Sequence, residues 1–219
     1  MIKAVIFDMD GIMFDTEHLA IPAWCEAGRK MGYPITERIV YETFGMNRET
    51  TRKVLQGYFG ENFNFDETAR LRTEYEIEYI EKNGVPIKKG LIELLNYLKE
   101  NNYLFTVATS SGQIRTKRFF ELAGITHFFE KFICGDMIEK GKPEPEIYCK
   151  ACELLKVKPE DSIVLEDSYA GIIAAFRAGI KTIMIPDMMQ CNESIEKMLY
   201  AKLDSLLEVI PLLEKEKSL

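Results

Sequence analysis

The sequence lacks a long apolar run, a set of paired cysteines, an excess of positive charge and internal repeats. No apolar stretch reaches the roughly 18 residues of a membrane-spanning helix, and the first residues lack the pattern of a signal peptide. The five cysteines are an odd number and form no disulfide framework. The 28 basic against 35 acidic residues give a net charge of −7, which disfavours nonspecific nucleic-acid binding. We therefore expect a cytoplasmic globular protein that binds neither membranes nor nucleic acids.

The chain changes in character after its first strand. Residues 4–7 have the length and β-branched content of a buried strand, whereas residues 17–83 show no strand pattern. In that stretch the apolar spacing predicts helices over residues 20–31, 39–44, 48–59 and 67–82. Later strands are predicted over residues 104–108, 132–134, 162–165 and 181–185, with helices between them and a helical tail over residues 195–213.

Strands that alternate with ten-residue helices predict an α/β fold. Its core is expected to be a Rossmann-like parallel sheet with helices on both faces, formed by residues 1–16 and 86–219. Residues 17–85 are expected to form an all-helical cap domain inserted after the first strand. Ligands of such a fold bind at the edge where the carboxyl ends of the strands meet.

Polar side chains follow each predicted strand. Asp8 and Asp10 follow the first, and two residues on an extended backbone point to the same side. The later strand ends bring further carboxylates, hydroxyls and a lysine: Thr109, Ser110, Ser111, Asp136, Lys142, Glu166, Asp167 and Ser168. Any one of these could simply cap a helix, as Ser111, Asp167 or Ser168 would at the helices that follow them. Their recurrence at four strand ends favours a shared site.

The chemistry that suits such a site is phosphoryl transfer. Crowded carboxylates repel one another unless a cation neutralises them, and hard oxygen ligands favour Mg²⁺. One aspartate can attack phosphorus and a second can transfer protons. A hydroxyl group and a lysine can hold the phosphoryl oxygens.

The Asp8-x-Asp10-Gly11 motif, Thr109, the Lys142-Pro143 pair and the Glu166-Asp167 pair together resemble the four motifs of the haloacid dehalogenase-like hydrolase superfamily. Their order and separation fit over nearly the whole chain. The helical insert resembles the small cap of that family. Within the superfamily the chain is most similar to the branch of β-phosphoglucomutases and sugar phosphatases.

This resemblance implies roles for the four carboxylates. Asp8 would be the nucleophile and a ligand of Mg²⁺, and Asp10 would be the general acid and base and bind the metal through its backbone carbonyl. Asp167 would be a further metal ligand, with Glu166 in direct or water-mediated support. Because Asp10 is present, the resemblance implies a phosphate ester as substrate and not a carbon–halogen bond.

The resemblance also implies how the phosphoryl group is bound. Thr109 and the backbone N–H of Ser110 would hold it, and Lys142 would bridge it to Asp8. In the cap, Gly45 and Arg48 lie in a segment that resembles the substrate loop of this branch. Arg48 either binds substrate or is a solvated side chain beside a capping residue, and Thr16 either contacts substrate or caps the first cap helix.

One departure from the mutase pattern favours simple hydrolysis. Mutases carry a histidine on the first cap helix, and gapless alignment puts Ala20 at that position. We therefore expect a Mg²⁺-dependent phosphatase acting on a small sugar or polyol phosphate through an aspartyl-phosphate, as a monomer, with a dimer left open. The alternatives are a phosphosugar mutase of the β-phosphoglucomutase type and a non-catalytic phospho-aspartate receiver domain.

Overall fold

The computed structural model describes residues 1–44, 46 and 48–217. Two compact units divide the chain, one formed by residues 1–14 and 87–219 and the other by residues 15–86. They differ in content, because every strand lies in the first unit and the described part of the second is helical. Among the described residues, no helix has both the length and the apolar character needed to span a membrane.

The first unit is built on a six-stranded parallel sheet. Its strands are β1 (Ala4–Phe7), β2 (Leu104–Thr109), β3 (Ile133–Cys134), β4 (Ser162–Glu166), β5 (Lys181–Met184) and β6 (Ala201–Lys202). Their order across the sheet is β3-β2-β1-β4-β5-β6, which is that of a Rossmann fold. The chain moves outward in one direction from β1 to β3 and in the other from β4 to β6. Right-handed connections therefore place helices on both faces, and the predicted fold class is confirmed.

In the described part of this unit, five longer α-helices and one short α-helix accompany these strands. They are α5 (Leu91–Glu100), α6 (Gln113–Leu122), α7 (Glu146–Leu155), α8 (Tyr169–Arg177), α9 (Glu193–Glu196) and α10 (Val209–Lys217). The helix α5 shows why they form, since Leu91, Leu94, Leu95 and Leu98 recur on one face and all are buried. The central strand β1 is wholly apolar and its neighbour β4 has an apolar middle, Ile163 to Leu165, because helices cover the sheet.

The described residues of the second unit form four helices. They are α1 (Glu17–Met31), α2 (Glu37–Tyr41), α3 (Arg48–Phe59) and α4 (Phe65–Asn83). The helix α1 packs against α4, and an aromatic core that includes Trp24 and Phe65 lies in this unit, with the two ring centroids 6.0 Å apart. The side chain of Asn64 caps α4 by accepting a hydrogen bond from the backbone of Glu67.

The prediction of one long helical tail is wrong. The chain forms α9, the two-residue strand β6 and then α10, so residues 181–185 do not contain the last strand. Ala201 pairs with Ile183, and the N–H of Tyr200 donates to the carbonyl oxygen of Thr182. A two-residue strand at the sheet edge has no alternating pattern of its own, so the apolar residues of two helices resembled one continuous helix.

Burial on α5 leads to a stability prediction. Leu94 is fully buried, whereas Ile92 on the same helix is 37% exposed. We expect Leu94→Ala to lower the free energy of unfolding by about 2–5 kcal/mol, because it removes buried methyl groups and leaves a cavity. The matched change Ile92→Ala should cost less than about 1 kcal/mol. Urea unfolding of both variants measures the difference, and equal losses would contradict this packing of α5.

Candidate active site

Neighbouring strands bring the predicted motif residues to one edge of the sheet. Asp8 directly follows β1, Thr109 ends β2 and Glu166 ends β4. Because β1 pairs in parallel with both β2 and β4, these three positions lie side by side. The strand order reverses between β1 and β4, and that is where open α/β sheets bind ligands.

A buried lysine joins two of these strand ends. The Nζ atom of Lys142 lies 2.5 Å from Oδ1 of Asp8 and 2.6 Å from Oε1 of Glu166. All three side chains are buried. Buried charges need partners of opposite sign, so Lys142 is what allows two carboxylates to lie together in the interior.

Glu166 is fixed by several donors besides Lys142. Its Oε1 also accepts a hydrogen bond of 2.6 Å from the Tyr148 hydroxyl. Its Oε2 accepts from the backbone N–H groups of Asp167 and Ser168 and from the Ser168 hydroxyl. The side chain of Ser168 also caps α8 by accepting from the N–H of Gly171. Glu166 is therefore an anchor between α7, α8 and the lysine.

The helix α8 approaches this anchor so closely that only glycine fits at position 171. A Cβ atom on Gly171 would lie 1.6 Å from Oε1 of Glu166. Similarly, Gly11 has φ +81°, and a Cβ there would lie 2.3 Å from Oδ2 of Asp167. The missing side chain of Gly11 thus leaves room for the Asp167 carboxylate beside the first motif.

The buried charges shift one another's pKa values. Burial raises the pKa of Asp8 to about 7, although the Lys142 ammonium acts in the opposite direction. Burial would lower the pKa of Lys142, but the negative charges of Asp8 and Glu166 outweigh it and hold that pKa well above its usual value. Burial also opposes ionisation of Glu166, yet the charge and hydrogen bond of Lys142 lower its pKa. One ammonium therefore keeps Glu166 ionised and leaves the negative charge of Asp8 only partly compensated.

Three carboxylates converge closely enough to hold a cation. Asp8, Glu166 and Asp167 each offer an oxygen, and these oxygens all lie within 4.8 Å of one another. All three residues are buried. A hard, all-oxygen donor set with incompletely balanced negative charge fits Mg²⁺ better than zinc or copper.

Besides the hydrogen-bond network around Glu166, a second one surrounds Asp10. The Ser111 hydroxyl donates to Oδ2 of Asp10 over 2.8 Å. The guanidinium of Arg115 donates to both Asp10 oxygens, over 2.9 and 2.8 Å. The hydroxyl oxygen of Thr109 accepts from the N–H of Ser111 over 3.0 Å, which connects this network to the end of β2. Asp10 is thus held from the start of α6.

Sequence reasoning missed two members of these networks, Arg115 and Tyr148. Arg115 lies in the first turn of α6, four residues after Ser111, and a basic residue this soon after a strand-end serine was an available signal. Tyr148 lies within the apolar pattern of α7 and gave no separate signal. Ser168 does cap α8, as its residue type suggested, whereas Ser111 bonds Asp10 and the N–H of Gln113 instead donates to Asp136.

Ser110, the predicted backbone donor, directly follows β2. The predicted residues Thr16 and Arg48 belong to the helical unit. Thr16 is at the N-cap position of α1, but its side chain makes no capping hydrogen bond. Arg48 donates to Oδ1 of Asp66 over 2.8 Å and lies 5.0 Å from the centre of the Phe65 ring. Gly45 lies outside the described residues. The predicted contacts of these residues with substrate therefore stay predictions.

The region that carries these motifs also matches a known protein family. A family profile described as haloacid dehalogenase-like hydrolase matches residues 5–185, which include both networks. The chain belongs to the haloacid dehalogenase-like hydrolases. The resemblance inferred from the four motifs is therefore confirmed.

Individual relatives show which enzymes of the family the chain resembles. The chain is 32% identical over 181 residues to the phosphorylated carbohydrates phosphatase of Thermotoga maritima, covering 83% of each chain. It is 26% identical over 183 residues to hexitol phosphatase A of Escherichia coli, covering 84% of this chain and 82% of the relative. The solved β-phosphoglucomutase of Clostridium difficile superposes with a TM-score of 0.81 at 25% identity, covering 99% and 97%. These matches confirm a phosphoric monoester hydrolase in a family of sugar-phosphate phosphatases and phosphoglucomutase-type enzymes.

The anchoring role of Glu166 makes a stability prediction. We expect Glu166→Ala to lower the free energy of unfolding by about 3–5 kcal/mol, because Lys142 and Tyr148 stay buried after losing a shared acceptor. The control is Glu160→Ala, since the Glu160 side chain is 68% exposed. That change should cost less than about 0.5 kcal/mol. Urea unfolding without divalent metal measures both, and a Glu166→Ala loss no larger than the control's would contradict the anchor.

Proposed function

We propose that this protein is a Mg²⁺-dependent phosphatase that hydrolyses a small sugar or polyol phosphate through an aspartyl-phosphate on Asp8. The observation that carries the proposal is the buried Asp8 carboxylate, bonded to Lys142 at 2.5 Å and adjoining the Asp167 carboxylate at the carboxyl edge of the sheet. A charged nucleophile fixed beside a cation and a set of hard oxygen ligands suits attack on a phosphate ester.

The first chemical step is transfer of the phosphoryl group to Asp8. An Asp8 oxygen forms a bond to phosphorus while the bond from phosphorus to the substrate oxygen breaks. Asp10 donates a proton to the departing oxygen, so the product leaves as a neutral alcohol. Thr109 and the N–H of Ser110 hold the phosphoryl oxygens, and Lys142 offsets their charge.

The second step is hydrolysis of the aspartyl-phosphate. Asp10, now a carboxylate, accepts a proton from a water molecule as the water oxygen bonds to phosphorus. The bond between phosphorus and the Asp8 oxygen breaks, which releases inorganic phosphate and restores both aspartates to their starting protonation states. Asp10 therefore acts as acid in one step and base in the next.

Mg²⁺ would be held by Asp8, Asp167 and the backbone carbonyl of Asp10. Both oxygens of Glu166 already accept hydrogen bonds, which favours support of the metal through water over direct ligation. When bound, the metal would supply positive charge to the phosphoryl oxygens. The protein residues orient the nucleophile and move the protons.

The helical unit is proposed to be a cap that selects the substrate. Arg48, at the start of α3, and Thr16, at the N-cap position of α1, are proposed to contact the substrate, as is Gly45, which lies outside the described residues. An inserted helical unit would allow substrate specificity to vary without altering the catalytic edge of the sheet. The cytoplasmic location and the monomeric state also stay predictions.

A phosphosugar mutase is the second candidate, favoured by the similarity to a solved β-phosphoglucomutase. The residue Ala20 argues against it. Ala20 is buried in the apolar core of the helical unit and offers no group that transfers protons. Family membership also sets aside the non-catalytic receiver alternative.

Phosphate release from a panel of sugar and polyol phosphates tests the proposal. We expect turnover by the wild type with Mg²⁺ and none with a chelator. Asp8→Asn should lower kcat/KM on the order of 10³-fold or more, because it removes the nucleophile. The matched change is Asp204→Asn, at an exposed position, which should leave turnover unchanged.

Two outcomes would contradict the phosphatase proposal. One is the absence of phosphate release from every compound. The other is conversion of a hexose 1-phosphate to the 6-phosphate after priming with a bisphosphate, in place of net hydrolysis, which would establish the mutase. Phosphate release that survives Asp8→Asn would exclude the aspartyl-phosphate.

Metal binding should depend on pH through Asp8. Burial raises the pKa of Asp8 to about 7, so below that pH a proton competes with Mg²⁺ for the carboxylate. The apparent Mg²⁺ affinity should fall up to tenfold for each pH unit below about 7 and level off above it. Calorimetric titration from about pH 5.5 to 8.5 measures this, with Asp8→Asn as the variant that should lose the dependence. A constant affinity across that range would contradict the assignment.

A further inference from the structure

The pairing of Arg115 with Asp10 points to a role in the reaction. Arg115 lies in the first turn of α6, and its Nη1 and Nη2 atoms donate to Oδ2 and Oδ1 of Asp10 over 2.9 and 2.8 Å. A planar guanidinium that bonds both oxygens of a carboxylate fixes its rotation as well as its position. The same Nη1 also donates to the Ser111 hydroxyl over 2.6 Å.

Arg115 also packs against buried aromatic side chains. The guanidinium carbon lies 4.4 Å from the centre of the Phe119 ring, one helical turn further along α6. Phe119 is buried and packs edge-on against Phe14, with the ring centroids 5.4 Å apart. The Arg115 side chain is only 10% exposed, whereas that of Asp10 is 31% exposed. Arg115 is therefore the fixed partner of the pair.

We propose that Arg115 is the positioning residue of the general acid and base, holding the Asp10 carboxylate in the orientation from which it transfers protons. This inference rests on the proposed function. Both Asp10 oxygens are bonded to Arg115, so one of those bonds is exchanged for the leaving oxygen or for water while the other keeps the carboxylate aligned. Arg115 itself touches neither the phosphoryl group nor the nucleophile in this proposal.

The leaving group of the substrate separates this role from a general effect on the fold. An alkyl phosphate needs a proton on its departing oxygen, whereas p-nitrophenyl phosphate releases a stable anion and does not. The ratio kcat/KM reports the steps up to formation of the aspartyl-phosphate. Arg115→Met should lower kcat/KM for a sugar phosphate about 10–100-fold and change it less than about threefold for p-nitrophenyl phosphate.

Three further variants sharpen the test. Arg115→Lys, which keeps the charge but not the two-pronged geometry, should recover part of the sugar-phosphate activity. Arg118→Met changes a 41% exposed arginine on the same helix and should leave both substrates unaffected. Asp10→Asn should show the same selective loss, and adding Arg115→Met to it should cost nothing more, because the two residues act as one unit. Thermal unfolding confirms that each variant is folded.

The activities of these variants on the two substrates test the role proposed for Arg115. An equal loss on both substrates would assign Arg115 to packing, and no loss on either would remove it from the reaction. Losses from Arg115→Met and Asp10→Asn that multiply in the double variant would also overturn the inference. If the wild type turns over neither substrate, or if turnover survives Asp8→Asn, the proposed function is overturned, and this inference with it.

Discussion

The Lys142 ammonium is the group on which the carboxylate cluster at the edge of the sheet depends. It lies within 2.6 Å of carboxylate oxygens of Asp8 and Glu166, residues 134 and 24 positions away in the chain. Two buried carboxylates this close would repel each other strongly without a cation between them. With the lysine in place, Glu166 stays ionised and accepts hydrogen bonds from Tyr148 and the start of α8. Lys142 thereby holds the Asp8 carboxylate close to that of Glu166, at the ends of the neighbouring strands β1 and β4.

The parallel pairing of the strands places further motif residues beside Lys142 and its two carboxylates. β1 lies between β2 and β4, so the motifs that follow three separate strands meet at one edge. Strand order reverses there, and the connections diverge to opposite faces. Glycines at positions 11 and 171 let the backbone approach carboxylates more closely than any side chain would allow. The close approach of the backbone at these two glycines and the positions of the carboxylate charges therefore depend on each other.

The two aspartates of the first motif have different cationic partners, and the difference fits the roles proposed for them. Asp8 is buried against an ammonium, a compact charge that offsets its own without fixing its rotation. Asp10 is partly exposed and is gripped by the planar fork of Arg115, which sets orientation. A nucleophile attacks from one place, whereas a group that is acid and then base exchanges partners in each cycle. Charge compensation and alignment are therefore supplied by separate residues.

The sequence by itself determined the parallel α/β fold, the helical insert and the motif residues at the strand ends, because these follow from local apolar periodicity and short motifs. The bounds of α3, residues 48–59, were predicted as observed, since its periodicity sets them. Only the tertiary structure revealed β6, the anchor from Tyr148 to Glu166 and the fork of Arg115 on Asp10. Each of these depends on residues far apart in the chain, and no local pattern encodes which distant partner a side chain meets.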